Sequence, residues 1–113
     1  MSLEVNGNSI ELDGNGNLVD PKVWDEDVAR ALAAADDTMD ELTEEHFDVL
    51  NYLREEYFEN NNQPMERAIN KDMGKRWGKK ISSKDLYRLF PGAPSKQGNR
   101  IAGLPYVARK GGY

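Results

Sequence analysis

The sequence predicts a mainly α fold of the α+β class: a small N-terminal β-hairpin, a bundle of about five helices with a helix-turn-helix-like pair, and an extended C-terminal arm. Three signals predict it: an Asn-Gly turn between short apolar runs, apolar residues at helical spacing, and a C-terminal stretch rich in glycine, proline and charge. A chain of 113 residues can bury a core without disulfides. We expect a helical domain with its hairpin at residues 1–102 and a flexible arm with few apolar anchors at residues 103–113.

The hairpin is predicted at the start of the chain. Asn6 and Gly7 tolerate positive φ, and they separate two short runs in which apolar and polar residues alternate. A second turn at residues 13–17 precedes Leu18-Val19, which we expect to add a short strand before a helical turn begins at Asp20-Pro21.

Capping residues and apolar stripes predict two long helices. Asp25 can cap the first helix, and Thr43 can cap the second. The expected core positions are Val28, Ala31, Leu32 and Ala35 in the first helix, then His46, Val49, Leu50, Leu53 and Tyr57 in the second, with Phe47 and Phe58 beside them.

Shorter helical segments are predicted in the second half. Pro64 suits the first turn of a third helix. Ser82 or Ser83 can cap a fourth helix, which the proline- and glycine-rich residues 91–94 stop, and a brief helical turn is expected at residues 95–100. The inward residues expected in the third helix are Met65, Ala68, Ile69 and Met73.

A set of short motifs occurs in order along nearly the whole chain. It consists of Asp20-Pro21 with Trp24-Asp25, Leu42-Thr43-Glu44-Glu45-His46, Tyr52-Leu53-Arg54, Pro64 with Arg67, Leu86-Tyr87-Arg88-Leu89-Phe90-Pro91-Gly92, and Ile101-Ala102-Gly103-Leu104-Pro105. The ordered set resembles the DsrC/TusE family of sulfur-relay proteins, which includes the gamma subunit of dissimilatory sulfite reductase. The resemblance implies a partner-binding arm whose residues are Ile101, Gly103, Leu104, Pro105, Tyr106, Arg109, Gly112 and Tyr113.

The cysteine that carries sulfur in that family is absent. Family members carry sulfur on a penultimate cysteine of the arm, and some have a second cysteine just before the Ile-Ala-Gly-Leu-Pro stretch. Gly112 and Asn99 stand at these two positions, and the sequence contains no cysteine. Tyr106 also replaces an expected lysine, and the tail after Pro105 is slightly longer than usual. The resemblance therefore implies a docking surface without the group that transfers sulfur.

Charge is strongly polarised along the chain. Residues 1–62 hold 17 acidic and three basic residues, a net charge of −14, whereas residues 63–113 hold three acidic and 12 basic residues, a net charge of +9. The basic half either faces an anionic partner or complements the acidic half of its own domain. The candidates for contact with nucleic acid or an acidic partner are Lys71, Lys75, Arg76, Lys79, Lys80, Lys84 and Arg88.

These cations lie around the helix-turn-helix-like pair, which gives an alternative function: a DNA-binding regulator of sulfur metabolism. The second helix of the pair offers only Asp85 and Tyr87 as further polar residues, and neither is a usual reader of bases. Trp77 is expected to pack in the core with its indole N–H bonded to a neighbour, rather than to stack on a base.

No enzymatic site is predicted. His46 is the only histidine, so a two-histidine zinc site and a catalytic triad are excluded, and we interpret His46 as structural. We expect no catalytic residue, no metal, no cofactor and no small-molecule substrate. The chain has no signal-peptide pattern and no apolar run near the ~20 residues that span a bilayer, so a cytoplasmic location without membrane contact is expected.

The preferred prediction is a non-catalytic binding or regulatory member of the resembled family. As partners, the resemblance implies sulfite reductase, a sulfurtransferase complex or a transfer-RNA 2-thiouridylase. The protein would dock on such a partner without carrying sulfur itself.

Overall fold

A computed structural model describes residues 2–106, and it confirms the mainly α fold with an N-terminal hairpin. The predictions for Arg109, Gly112 and Tyr113 lie outside the described residues. The described elements are strands β1 (Ser2–Val5) and β2 (Asn8–Glu11), a single 3-10 turn (Pro21–Val23), and helices α1 (Glu26–Ala34), α2 (Glu44–Asn60), α3 (Glu66–Trp77), α4 (Ser83–Leu89) and α5 (Pro94–Ile101).

The predicted hairpin is confirmed. β1 and β2 pair antiparallel, and Asn6 and Gly7 connect them with φ values of 50° and 82°. Positive φ at both positions is what a two-residue type I′ turn requires. The expected third strand is reduced to one bridge between Leu12 and Leu18, and Val19 is exposed.

Local capping sets the start of α1, but its buried stripe differs from the prediction. The Asp25 side chain accepts a hydrogen bond from the Val28 amide at 2.9 Å, as expected for a cap. The predicted core position Ala35 is wrong: it follows the last residue of the helix and is exposed, while Ala31 is only partly buried. The residues that α1 buries are Val28, Ala29, Leu32 and Ala33.

Helix α2 follows its predicted face more closely. Val49, Leu50 and Leu53 are fully buried, as expected. Tyr57 is only partly buried. Two other residues also differ from the predicted face: Tyr52, which was not among the expected core positions, is buried, and Phe58 is half-exposed.

Helix α3 begins two residues later than Pro64. Met65 has extended backbone angles in front of the helix and is 58% exposed, so its predicted inward position is wrong. Ile69 and Met73 are fully buried, which confirms the core side of this helix.

The last two helices place the start of the arm. Ser82 is the N-cap of α4 in a capping box: its side chain accepts from the Asp85 amide, and its own amide donates to the Asp85 carboxylate at 2.9 Å. Helix α5 replaces the brief turn that was expected, and it contacts α1, α2, α3 and α4. The chain that leaves α5 therefore starts inside the bundle. None of the helices described between residues 2 and 106 is long and apolar enough to cross a membrane.

Candidate functional site

The residues after α5 are held by their backbone. Four side chains from separate parts of the domain each donate one hydrogen bond to a carbonyl oxygen of residues 101–105. We call these four side chains the carbonyl clamp. The bonds run from Trp24 Nε1 to Ile101 O (2.8 Å), from Arg54 Nη1 to Ala102 O (2.8 Å), from Asn17 Nδ2 to Leu104 O (3.0 Å) and from Gln63 Nε2 to Pro105 O (2.9 Å).

Arg54 is the most connected member of the carbonyl clamp. Its Nη2 donates to Pro21 O at 3.0 Å, so one guanidinium joins α2, the 3-10 turn and the end of α5. The guanidinium carbon also lies 4.4 Å from the ring centre of Trp24 and 4.9 Å from that of Phe58. Burial lowers the pKa of Arg54 because it removes water from the charged guanidinium. The two carbonyl oxygens and the two ring faces replace part of that lost solvation.

Gly103 allows the chain to pass through the carbonyl clamp. Its φ is +72°, and a Cβ there would lie 2.5 Å from Trp24 Cδ1 and 2.8 Å from Leu18 Cδ1. Only glycine fits this turn without displacing the indole. Leu104 follows with no exposed surface, which differs from the expectation of few apolar anchors after residue 102.

Asn99, where the family resemblance leads one to expect the upstream cysteine of some members, has an immobilised side-chain amide. The side chain is buried, and Nδ2 donates to Ser95 O at 2.6 Å. Its backbone oxygen accepts from the Leu104 amide at 3.0 Å. Asn99 is therefore a structural link between α5 and the start of the arm, and a carboxamide in these bonds offers no nucleophile.

A polar cleft of about 420 Å³ lies beside the start of the arm. Asp36 in its wall accepts hydrogen bonds from Thr38 and Gln97 and pairs with Arg100. Burial alone raises the pKa of Asp36, but these donors outweigh burial and hold the pKa well below its usual value. Tyr106 borders the cleft with its ring 5.9 Å from Lys96 Nζ and 39% of its surface exposed.

His46 is structural, as predicted. Its Nδ1 accepts from the Thr43 amide at 3.0 Å, and Nε2 lies 2.8 Å from Leu89 O. These partners fix a neutral ring with its proton on Nε2. The ring packs edge-on against Phe90, with 5.3 Å between the two ring centres. Burial lowers the pKa of His46, although the bond to Leu89 opposes that effect.

The seven predicted basic residues separate into three groups. Arg76 Nη2 lies 3.0 Å from Glu55 Oε1, and Arg88 Nη2 lies 3.9 Å from Glu45 Oε1, so both face acids of α2. Lys84 is exposed on α4. The other four, Lys71, Lys75, Lys79 and Lys80, line a shallow groove along α3 together with Arg67.

Trp77 is partly buried against the core, and its Nε1 donates to Asp48 Oδ2 at 2.9 Å. This confirms that its indole N–H is bonded to a neighbour. Within the described residues, no group of three or more His, Cys, Asp or Glu side chains is placed to hold a metal ion.

Sequence reasoning missed the role of the carbonyl clamp. Trp24 and Arg54 belong to the motifs of the family resemblance, but their partners were not apparent. Asn17 and Gln63 gave no signal because they lie 87 and 42 residues from the carbonyls that they bind. A polar residue in a turn has many possible partners, and only the folded chain selects one.

The fold is that of a small helical domain with an N-terminal hairpin, and comparison with known proteins gives the family. The profile of the family described as "DsrC like protein" matches residues 4–108. The chain is 39% identical over 108 residues to the "Sulfurtransferase TusE homolog" of Haemophilus influenzae, with 95% of this chain and 97% of the relative covered. It is 40% identical over 104 residues to "Sulfurtransferase TusE" of Pectobacterium atrosepticum, with 91% and 94% covered.

Solved structures agree. The oxidized gamma-subunit of dissimilatory sulfite reductase (DsrC) from Archaeoglobus fulgidus superposes with a TM-score of 0.87 at 36% identity, over 97% of this chain and 99% of that one. The NMR structure of Allochromatium vinosum DsrC gives a TM-score of 0.86 at 41% identity, with the same coverage. The chain belongs to the DsrC-like family.

Proposed function

We propose that this protein binds a sulfur-metabolism partner through its arm and carries no sulfur itself. One observation carries the proposal: the carbonyl clamp fixes the start of the arm in a chain whose 113 residues include no cysteine. A fixed start reduces the conformational entropy that docking must remove. Sulfane transfer on a side chain needs a thiolate, which neither Asn99 nor Gly112 supplies.

The relatives suggest the class of partner. Two of them are named as a sulfurtransferase TusE or its homolog. The other two are DsrC proteins, one of which is described as the gamma-subunit of dissimilatory sulfite reductase. A sulfurtransferase complex or a sulfite reductase is therefore the partner that we propose. The protein would occupy the docking site of a cysteine-bearing relative and regulate transfer by competition. Its cytoplasmic location stays a prediction.

A binding experiment with three forms of the protein tests this function. Full-length protein, a form that ends after Tyr106, and the Gly112→Cys variant are immobilised and exposed to purified sulfurtransferase complex or sulfite reductase. We expect the full-length protein and Gly112→Cys to bind equally, and the shortened form to bind at least about tenfold more weakly. The shortened form retains the clamped residues 101–105 and lacks only residues 107–113. Loss of binding therefore reports on that last part of the arm and not on unfolding.

Mass spectrometry after incubation with a persulfide donor tests the second half of the proposal. Gly112→Cys should gain a sulfur adduct that a reductant releases, whereas the unchanged protein should gain none. A reductant-released sulfur adduct on the unchanged protein, or full binding by the shortened form, contradicts the proposal.

The DNA-binding alternative stays a prediction that none of the relatives named above supports. Arg76 and Arg88, two of its candidate phosphate contacts, face Glu55 and Glu45. Helix α4, the second of the pair, has seven residues.

A further inference from the structure

The shallow groove along α3 concentrates positive charge. It has a volume of about 690 Å³, and no acidic residue among those that the structure describes lines it. We call it the α3 groove. Apart from Asn70, Ile81 and two glycines, its lining consists of Arg67, Lys71, Lys75, Lys79 and Lys80.

The cations of the α3 groove differ from several arginines of the domain in forming no ion pair with a carboxylate of the described residues, although Lys79 and Asp85 attract each other at longer range. Arg30, Arg76 and Arg100 lie within 4.0 Å of an acidic side chain, and Arg88 does as well. In the described part of the chain, none of the five groove cations forms such an ion pair. Five neighbouring like charges repel one another, so the α3 groove attracts an anion.

The spacing of these cations is regular. Arg67, Lys71 and Lys75 recur every four residues of α3, and at 1.5 Å per residue this row rises about 6 Å per step and about 12 Å in all. Lys79 continues the spacing in the sequence but lies beyond the helix, which ends at Trp77 with Gly78 as its cap. The row lies opposite Ile69 and Met73, the buried side of α3, so it faces solvent.

The floor of the α3 groove permits close approach. Nothing lies within 4 Å of the position that a Cβ of Gly78 would take, whereas at Gly74 the backbone oxygen of Lys79 already lies 3.0 Å from that position. Ile81 and the aliphatic stems of the lysines make the floor apolar. An apolar floor between regularly spaced cations complements an amphipathic helix with acidic residues on one side.

We propose that the α3 groove binds an acidic helical segment of a partner protein. Carboxylates every four residues of that segment would face the row of cations on α3. Single-stranded nucleic acid is less well matched, because the groove lining in the described chain includes no aromatic ring on which a base can stack. Trp77 does not line the groove, and its indole is bonded to Asp48. The α3 groove shares no residue with the carbonyl clamp, so this inference is independent of the arm.

Two fluorescent 20-residue peptides of identical composition test the proposal. Both are alanine-rich, and one has glutamates every four residues while the other has them distributed around the helix. Fluorescence anisotropy over a salt series with the full-length protein measures affinity. We expect the regularly spaced peptide to bind at least about threefold more tightly, because only its carboxylates reach the row together.

Charge-reversal variants locate the contact. Lys71→Glu and Lys75→Glu should each weaken binding of the regularly spaced peptide about five- to tenfold. Lys22→Glu is the matched control, since Lys22 is exposed on the 3-10 turn outside the α3 groove and changes the net charge equally. Circular dichroism confirms that all variants are folded.

Three results overturn the proposal. Equal weakening by Lys22→Glu shows a general charge effect, and equal affinity for both peptides shows that the spacing does not matter. Tighter binding of a duplex DNA or a single-stranded RNA of matched charge, lost in Lys71→Glu, assigns the α3 groove to nucleic acid instead.

Discussion

At the base of the arm, each side chain of the carbonyl clamp has a partner inside the domain, whereas along the α3 groove five cations have no carboxylate of residues 2–106 within 4.0 Å. Leu104 is fully buried in the first region, and Lys71 and Lys75 are exposed in the second. The difference shows two ways in which the domain treats its polar groups. One fixes the position of a segment by satisfying its backbone, and the other leaves charge unsatisfied.

The two regions should respond differently to mutation. A buried hydrogen bond contributes to folding because breaking it leaves a polar group without water. An exposed cation contributes little to folding because water solvates it in either state. Changes at the base of the arm should therefore alter stability, and changes in the α3 groove should alter binding.

The largest effect is expected from Gly103→Ala. The new Cβ meets Trp24 and Leu18 at less than 3 Å, and φ is +72°, so unfolding free energy should fall by about 3–5 kcal/mol. Urea denaturation measures the change. Two controls separate its causes: Gly78→Ala has positive φ but open space and should cost about 1 kcal/mol, and Gly14→Ala has neither problem and should cost less than about 0.5 kcal/mol. Equal losses at all three glycines would refute the close packing of Gly103.

Arg54→Ala should have the next largest effect. It removes two hydrogen bonds to backbone carbonyls and the contacts with Trp24 and Phe58, so we expect a loss of about 2–3 kcal/mol in unfolding free energy. Arg30→Ala is the matched control, because its ion pairs with Glu26 and Asp27 are solvent-exposed, and it should cost under about 1 kcal/mol. Urea denaturation of both variants measures the two losses. Similar losses would contradict the stabilising role of Arg54 in the carbonyl clamp.

A smaller effect is expected from protonation of His46. Its pKa is lower in the folded domain than its usual value of 6.5, so the unfolded chain binds more protons between those two values. The stability contribution is thus complete above about pH 6.5 and is lost as pH falls toward the folded pKa, at no more than about 1.4 kcal/mol per pH unit. Urea denaturation at pH 7.5, 6.5 and 5.5 tests this, with an NMR titration of the single histidine. His46→Gln should flatten the pH dependence in this window, and an unchanged slope would assign it to another group.

The smallest effect on stability is expected from Lys71→Ala. The side chain is exposed and has no ion pair among the described residues, so unfolding free energy should change by less than about 0.5 kcal/mol. Differential scanning calorimetry alongside Arg54→Ala measures the contrast directly. A large loss in Lys71→Ala would mean that the α3 groove also supports the fold.

Local chemistry made several parts of the fold predictable from the sequence. The Asn6-Gly7 turn and the caps at Asp25 and Ser82 depend on residues within a few positions of one another. Errors arose at the ends of elements. Met65 and Ala35 fit an apolar stripe by spacing, but each lies just outside its helix, where the spacing of a helix no longer applies.

By itself, the sequence determined the hairpin, the approximate helices, the row of cations along α3 and the lack of a thiol, because turn preference, capping, helical periodicity and composition are local or countable properties. Only the tertiary structure decided that the arm begins inside the core and that Asn17, Trp24, Arg54 and Gln63 bind its carbonyl oxygens. The physical reason is distance along the chain. A side-chain donor has no preferred partner 42 to 87 residues away until burial removes water and leaves one acceptor within reach.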